Sequence, residues 1–341
     1  MRFVLVVLLL ILRGSGLAQT QRSVSFSNGH DVLAGTLTLP HGSGLHPAVI
    51  LVLGSGSINR DGQVGKLKPF LAMATELAKK GFIVLRYDNR SKGVSQGKPI
   101  DESTTTDLAT DVQAAFTFLK NQEQVNPRRI GLIGHSEGST IAAIAASRIP
   151  AVKCLLALNA PALPGFDDIL LTTEQRLRKA GTSDKATGSY LTNMRLYLGR
   201  PATTSIEKRK VAARNIVQFE INHLPVHQRA KVTKEDIESA VDHQLHEVLT
   251  KWEQHYLNLN PAIYYQKLSC PIRLLFSESE LEGLLSKRLS IFKEVFNDPK
   301  QAYLIRLVKN ADHDLITTDQ RTKVVSSAFL KLVVEESSKS I

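Results

Sequence analysis

An apolar, strand-like stretch, Arg129-Ile130-Gly131-Leu132-Ile133, runs directly into Gly134-His135-Ser136-Glu137-Gly138 and then into Thr140-Ile141-Ala142-Ala143-Ile144-Ala145-Ala146. No other part of the chain restricts its fold so strongly. The first stretch reads as a buried strand and the last as a helix whose small residues pack closely. The junction allows only a sharp turn. Glycines on both sides of Ser136 let strand and helix pass without a Cβ clash, and the serine must take a strained backbone to sit between them. A G-x-S-x-G turn in this context presents its Oγ above a parallel sheet as a nucleophile.

The rest of the chain supplies such a sheet. Val24-Ser25-Phe26 and Val32 to Leu39 alternate like two antiparallel strands joined at Asn28-Gly29. Continuous apolar runs follow, as in strands buried on both faces. They are Ala48 to Leu53, Ile83-Val84-Leu85, Ile130 to Ile133, Leu155 to Leu158, Ile272 to Phe276 and Ala302 to Ile305. Between them lie helical patterns at Pro69 to Lys80, closed by Gly81, and at Asp107 to Lys120. The pattern at Val324 to Val334 predicts a closing helix. This alternation predicts an α/β fold with a mostly parallel central sheet and helices on both faces. One interval breaks it. Residues 165–268 are polar and helix-like, with no strand-like run, and predict a helical cap inserted between core segments 19–164 and 269–341.

The N-terminus is a separate matter. Met1-Arg2 precedes the apolar run Phe3 to Leu12, which is too short to span a bilayer. With Gly16-Leu17-Ala18 it reads as a signal peptide over residues 1–18, cut before Gln19, although Arg13 sits unusually close to the run. The other reading is an uncleaved apolar first helix. No cysteine follows the run, so no lipid anchor is expected, and the mature chain is expected to be exported without a stable membrane attachment. In an oxidising compartment the only two cysteines, Cys154 and Cys270, could pair if their strands are neighbours. Otherwise they are two buried small apolar residues.

The formal net charge is +11, with basic groups such as Lys208-Arg209-Lys210 in the middle of the chain. No aromatic residues interleave them, so they read as a solvated helix face and not as a nucleic-acid site. Weak attraction to anionic lipid or polysaccharide surfaces is the other reading. No cluster has metal-ligand spacing, and neither a metal nor a cofactor is expected.

A serine needs a base to take its proton and a third group to orient that base. In a sheet of this order the acid follows a late strand and the base follows the last. Of the ten histidines, His313 alone follows the last predicted strand, in Asn310-Ala311-Asp312-His313-Asp314. For the acid, Ser277-Glu278-Ser279-Glu280-Leu281-Glu282 offers three glutamates. Glu280 has the best offset, with Glu278 and Glu282 as alternatives. An oxyanion hole needs two backbone N–H donors. Glu137 supplies the first, and the loop Leu53-Gly54-Ser55-Gly56-Ser57 the second, from Ser55 or else Gly54. Tyr87-Asp88-Asn89-Arg90-Ser91-Lys92-Gly93 is expected to pack beside that loop, with Arg60-Asp61-Gly62 reaching it through an ion pair; both read as structural.

With these residues in place the chain resembles the α/β-hydrolase superfamily, and within it the EstD-like, dienelactone-hydrolase-related bacterial serine esterases. The resemblance rests on Gly54-Ser55-Gly56 with Arg60-Asp61-Gly62, on Arg86-Tyr87-Asp88 with Arg90, and on Pro127 to Gly138. Ala160 to Gly165 resembles the approach to that group's cap. It implies hydrolysis of small or medium carboxylic esters through an acyl-enzyme, with Ser136, Glu280 and His313 as the triad and a small-molecule ester as substrate. The chain departs from the group at Glu280, where Asp is usual, at Ser91, where Gly is usual, and at Ser139, which replaces a second glycine. A peptidase or thioesterase using the same residues, or a non-catalytic binding protein of this fold, would share the pattern.

Overall fold

The computed structural model describes residues 19–54, 56, 59–200, 203–279, 282–296, 302–319 and 322–341. The segment read as a signal peptide lies outside them, as do Ser55 and Glu280; of Glu282 only the backbone is described.

The chain opens with β1 (Thr20–Asn28) and β2 (Asp31–Leu39), an antiparallel pair turned at Gly29, whose φ is +61°. Then come β3 (His46–Val52), α1 (Pro69–Lys79), β4 (Ile83–Tyr87), α2 (Thr105–Lys120), β5 (Val125–His135), α3 (Glu137–Ala146) and β6 (Leu155–Leu158). A helical insertion follows: α4 (Gly165–Lys179), α5 (Asp184–Tyr197), α6 (Ile206–Asn222), α7 (Val226–Arg229), α8 (Lys234–Leu249), α9 (Lys251–Asn258) and α10 (Ala262–Tyr265). The chain returns through β7 (Ile272–Ser277), α11 (Glu282–Val295), β8 (Tyr303–Val308), β9 (Ile316–Asp319), β10 (Thr322–Val325) and α12 (Ser327–Ser340).

Among the described residues the main sheet has eight strands in the order β1-β2-β4-β3-β5-β6-β7-β8. From β4 onward every neighbouring pair is parallel, and β2 meets β4 antiparallel. The apolar runs are buried on both faces: Val49, Ile50, Leu132, Ile133, Leu155 and Leu156 have no exposed surface. One face is covered by α2, α3 and α11, the other by α1 and α12, which bring Phe70, Met73, Leu77, Phe329 and Val333 together.

The insertion has its own small clusters, Phe166–Leu170–Leu198–Val248–Leu257 and Ala213–Val217–Val241–Leu245. Its end behaves differently. Leu259, Ala262, Tyr265 and Leu268 join the main core against α3, so α10 packs as part of the core rather than of the insertion.

One sequence expectation changes, and one open alternative is decided. The closing helix starts at Ser327, capped by the Ser326 hydroxyl accepting from Phe329 N–H, and runs to Ser340. Val324 and Val325, read as its first turn, instead form β10, paired with β9 in a two-stranded sheet. β-Branched residues dominate Ile316-Thr317-Thr318 and Thr322 to Val325 and favour that hairpin over a helix. The alternative concerns the cysteines: β6 and β7 are neighbours, and of the two readings the unpaired one holds, with Cys154 and Cys270 as free thiols. Burial pushes the Cys154 thiol up to about 12 and Cys270 to about 11, which keeps both protonated and unreactive. Among the described residues no helix is long and apolar enough to cross a membrane.

The elbow explains its own glycines. A Cβ on Gly134 would run into the Gly138 carbonyl and come within 2.6 Å of Ser139 Cα; one on Gly138 would meet the Val52 carbonyl and come within 2.8 Å of Leu53 C. Each obstacle is backbone and cannot swing away. Gly138→Ala should therefore lower stability by about 2 kcal/mol or more. Urea unfolding checks this; an unchanged midpoint would mean that β3 and α3 do not pack this closely.

Candidate active site

Ser136 sits at φ +53°, ψ −130°, between the end of β5 and the start of α3. An L-residue pays for this conformation, and the surroundings hold it there. Ser136 N–H donates to Leu158 O at 2.9 Å, and Ser139 N–H donates to Ser136 O at 2.9 Å. The buried Ser139 hydroxyl donates to Gly134 O at 2.8 Å, closing the turn where a second glycine would leave that carbonyl without it. The N-terminus of α3 points its partial positive charge at this spot.

His313 comes from the loop between β8 and β9, and its Nε2 lies 3.1 Å from Ser136 Oγ, within hydrogen-bond reach. Two donors grip the backbone of that loop at one atom. His135 Nε2 donates to His313 O at 2.7 Å and Asn159 Nδ2 donates to it at 2.9 Å. Asn159 is fully buried, at φ +47° just after β6, and its Oδ1 accepts from Ser277 N–H at 2.8 Å. One side chain thus ties together the chain ends of β6, β7 and β8. The loop after β7 is fastened again by Ser279 Oγ, which donates to Ala311 O.

The acid position divides as follows. Glu278 is exposed, and its N–H donates to Val308 O at 3.0 Å. Glu280, the preferred acid, lies outside the described residues, and the side chain of Glu282 is likewise not described.

Of the two expected oxyanion donors, Glu137 heads α3, and an ideal Cβ on Gly54 would stand 3.8 Å from its amide nitrogen, so the glycine loop lies directly against the elbow. Asn89 Nδ2 fixes that loop by donating to Gly54 O at 2.9 Å. The expected ion pair behind it is present: Arg60 Nη2 meets Asp88 Oδ2 at 2.6 Å, and Arg86 pairs with Asp61. Burial pushes the Asp88 carboxyl up, but hydrogen bonds from the Arg60 side chain and from the Val94 and Arg60 amides outweigh it, leaving it below its ordinary range. Arg90 reaches Asp111 at 2.6 Å and Asp31 at 3.1 Å. Ser91 stands at φ +52°, the left-handed region that glycine enters at no cost.

The side chain of Glu137 does something the sequence did not signal. It is buried, and its Oε1 accepts from Thr105 Oγ1 and from the Trp252 indole N–H, each at 3.0 Å. The residue after the serine is therefore also the anchor of α9 from the insertion. Trp252 N–H donates to Asp101 O at 3.1 Å, and its ring stacks on Tyr256 at 5.4 Å. Beside it, burial, then Glu137, then Glu247 push Glu253 up to about 7.

Two cavities meet at Ser136 and His313. One, of about 290 Å³, is walled mainly by Leu53, Val64, Pro69, Phe70 and Leu315 with the backbone of Gly54 and Gly56. The other, of about 230 Å³, lies under α4 and is walled by Asp168, Thr172, Arg176, Tyr256 and Arg288 among others. Arg288 and Asp168, 120 residues apart, form a buried pair with three contacts of 3.0–3.2 Å. Nothing local in the sequence marks that pair, or Asn159, as belonging to the site.

The family model for serine aminopeptidase, S33, matches residues 62–214. Esterase EstD of Thermotoga maritima is 38% identical over 109 residues, which are 32% of this chain and 26% of EstD. The chain covers 26–38% of the length of the first curated relatives it matches. Whole-chain likeness comes from solved structures. The proline iminopeptidase of Mycobacterium smegmatis aligns at TM-score 0.57 and 16% identity, covering 94% of this chain and 98% of that one. The Pyrococcus furiosus esterase Pf2001 aligns at TM-score 0.56 and 18% identity, covering 94% and 90%.

Two predictions follow from the polar contacts. Asn159→Ala leaves Ser277 N–H without its partner, at a cost of about 1–3 kcal/mol, and leaves His313 O with His135 as its remaining donor. Urea unfolding measures it; a loss below about 0.5 kcal/mol would contradict the bridging role. For Glu253, a carboxyl raised from 4.5 to about 7 means that the folded state holds its proton more tightly than the unfolded chain. That contribution is fully present below pH 4.5 and is lost as the pH rises through about 7. Melting curves at about pH 4 and about pH 8 should show wild type losing ground against Glu253→Gln as the pH rises; parallel curves would refute the shift.

Proposed function

This chain has the α/β-hydrolase fold, and from that premise we propose that it is a serine carboxylic-ester hydrolase acting through an acyl-enzyme on small or medium esters. The observation that carries the reading is the 3.1 Å approach of His313 Nε2 to Ser136 Oγ on a strained elbow where two cavities meet.

In this reading Ser136 Oγ attacks the ester carbonyl while His313 Nε2 takes its proton. The carbonyl oxygen gains a negative charge, held by the Glu137 N–H and by an N–H of the Gly54–Gly56 loop, with Ser55 as the preferred donor. The ester C–O bond breaks, and His313 gives its proton to the departing alcohol. Water then enters, loses a proton to His313 and attacks the acyl-enzyme; release of the acid returns the proton to Ser136. Glu280 is the proposed partner that orients His313. The grip of His135 and Asn159 on His313 O supports a fixed imidazole, and no cofactor enters the scheme. The apolar run at Phe3 to Leu12 with Gly16-Leu17-Ala18 supports export, with residues 1–18 removed.

The matched family model's description raises a second reading, an aminopeptidase. That chemistry needs a carboxylate to receive a substrate ammonium. Among the described lining residues, Asp168 under α4 is already taken by Arg288, and Asp314 stands exposed in the otherwise largely apolar cavity, which favours the ester reading.

The test is hydrolysis of p-nitrophenyl esters of rising chain length beside aminoacyl p-nitroanilides. Short esters should be cleaved, with kcat/KM falling beyond about eight carbons, since the apolar cavity is at the small end of ligand sites. Ser136→Ala and His313→Ala should each lower kcat by about a thousandfold or more. Glu280→Gln should cost more than Glu278→Gln or Glu282→Gln. Cleavage of the anilides but not the esters would overturn the reading.

A further inference from the structure

The two cavities at Ser136 differ in chemistry. The apolar one offers aliphatic and phenyl surface. The one under α4 offers charges and hydroxyls. Asp168, Thr172 and Arg176 recur every four residues along α4, which sets them on one face of that helix, and all three line the cavity that also touches Ser136 and His313.

Among the described lining residues the charges there do not cancel. Arg288 and Asp168 neutralise each other, buried to 4% and 7% exposure. Arg176 remains. Its neighbour Arg178 takes the nearby carboxylates Glu174 and Asp184, and among the described residues no carboxylate pairs with Arg176. Tyr256 contributes a neutral phenol, because burial holds it well above its ordinary range. Among the described lining residues, Arg176 is therefore the cation without a carboxylate partner beside the reacting atoms.

An alkyl chain entering here would strip water from Arg176 and from the hydroxyls of Thr172 and Tyr256 and return no hydrogen bonds. A carboxylate would instead gain a charge-assisted bond from a guanidinium that no described carboxylate holds. We infer that the substrate is an ester bearing a carboxylate, seated under α4 against Arg176, with its apolar portion in the cavity beside Phe70 and Leu315. This rests on the ester-hydrolase reading above and specifies the substrate for the same site.

The carboxylate could sit on the acyl or on the alcohol side, and two matched pairs distinguish them. One pair is mono-p-nitrophenyl adipate against p-nitrophenyl hexanoate; the other is 4-butyryloxybenzoate against 4-butyryloxybenzamide. In one pair kcat/KM for the anion should exceed that for its neutral partner by about fivefold or more. That ratio should fall severalfold in Arg176→Gln, drop below one in Arg176→Glu, and shrink between about 10 mM and about 500 mM salt, since Arg176 is exposed. If the neutral esters are cleaved but both ratios stay within about twofold of one, or if Arg176→Gln leaves the ratio unchanged, this inference fails while the hydrolase reading stands. If none of the four esters is cleaved, both fail.

Discussion

Everything at the site depends on one strained residue. Ser136 occupies φ +53° because β5 must end and α3 begin within a single residue, while Gly134 and Gly138 let the β3, β5 and α3 backbones crowd together. The strain is a local cost met by the packing of a central strand buried from Ile130 to Gly134 and of a helix buried throughout. In return the hydroxyl stands clear of the sheet at the head of a helix, where α3's dipole and first amides face whatever binds there. Moving the serine onto a relaxed strand or helix would lose both properties at once.

The same turn connects the two layers of the molecule. The residue after the serine heads α3 and accepts, through its carboxylate, from Trp252 of the insertion. The helical insertion is thus bonded to the elbow itself and not merely laid over it. On the other side, Asn159 and His135 hold the backbone of His313, so three strand ends share one buried polar knot. Fully satisfied networks of this kind fix geometry well because leaving any one member unpaired is costly.

The parts legible in the sequence were those with local causes. Apolar runs marked the parallel strands, and the glycines around Ser136 marked the elbow. His313 followed from chain order, because only it stood after the last strand. Ser91 is legible in hindsight: the place where the related esterases carry glycine proved to be a left-handed position. Contacts between distant residues were not legible. Asn159 looks like any polar residue after a short strand, and its two partners lie 118 and 154 positions away. Asp168 and Arg288 meet only because α4 and α11 pack together. Val324 and Val325 fit either a helix or a strand pattern, and the Ser326 cap decided between them. The acid loop is undecided for a chemical reason, since three glutamates within five residues offer the same group at neighbouring offsets.

The central claim is that Ser136 is a nucleophile activated by His313. The most direct measurement is to treat the purified protein with a fluorophosphonate and locate the adduct by peptide mass spectrometry. The account predicts one stoichiometric adduct on Ser136, absent in Ser136→Ala and formed far more slowly in His313→Ala. A folded wild-type chain that stays unlabelled at Ser136, or labels equally fast without His313, would contradict it.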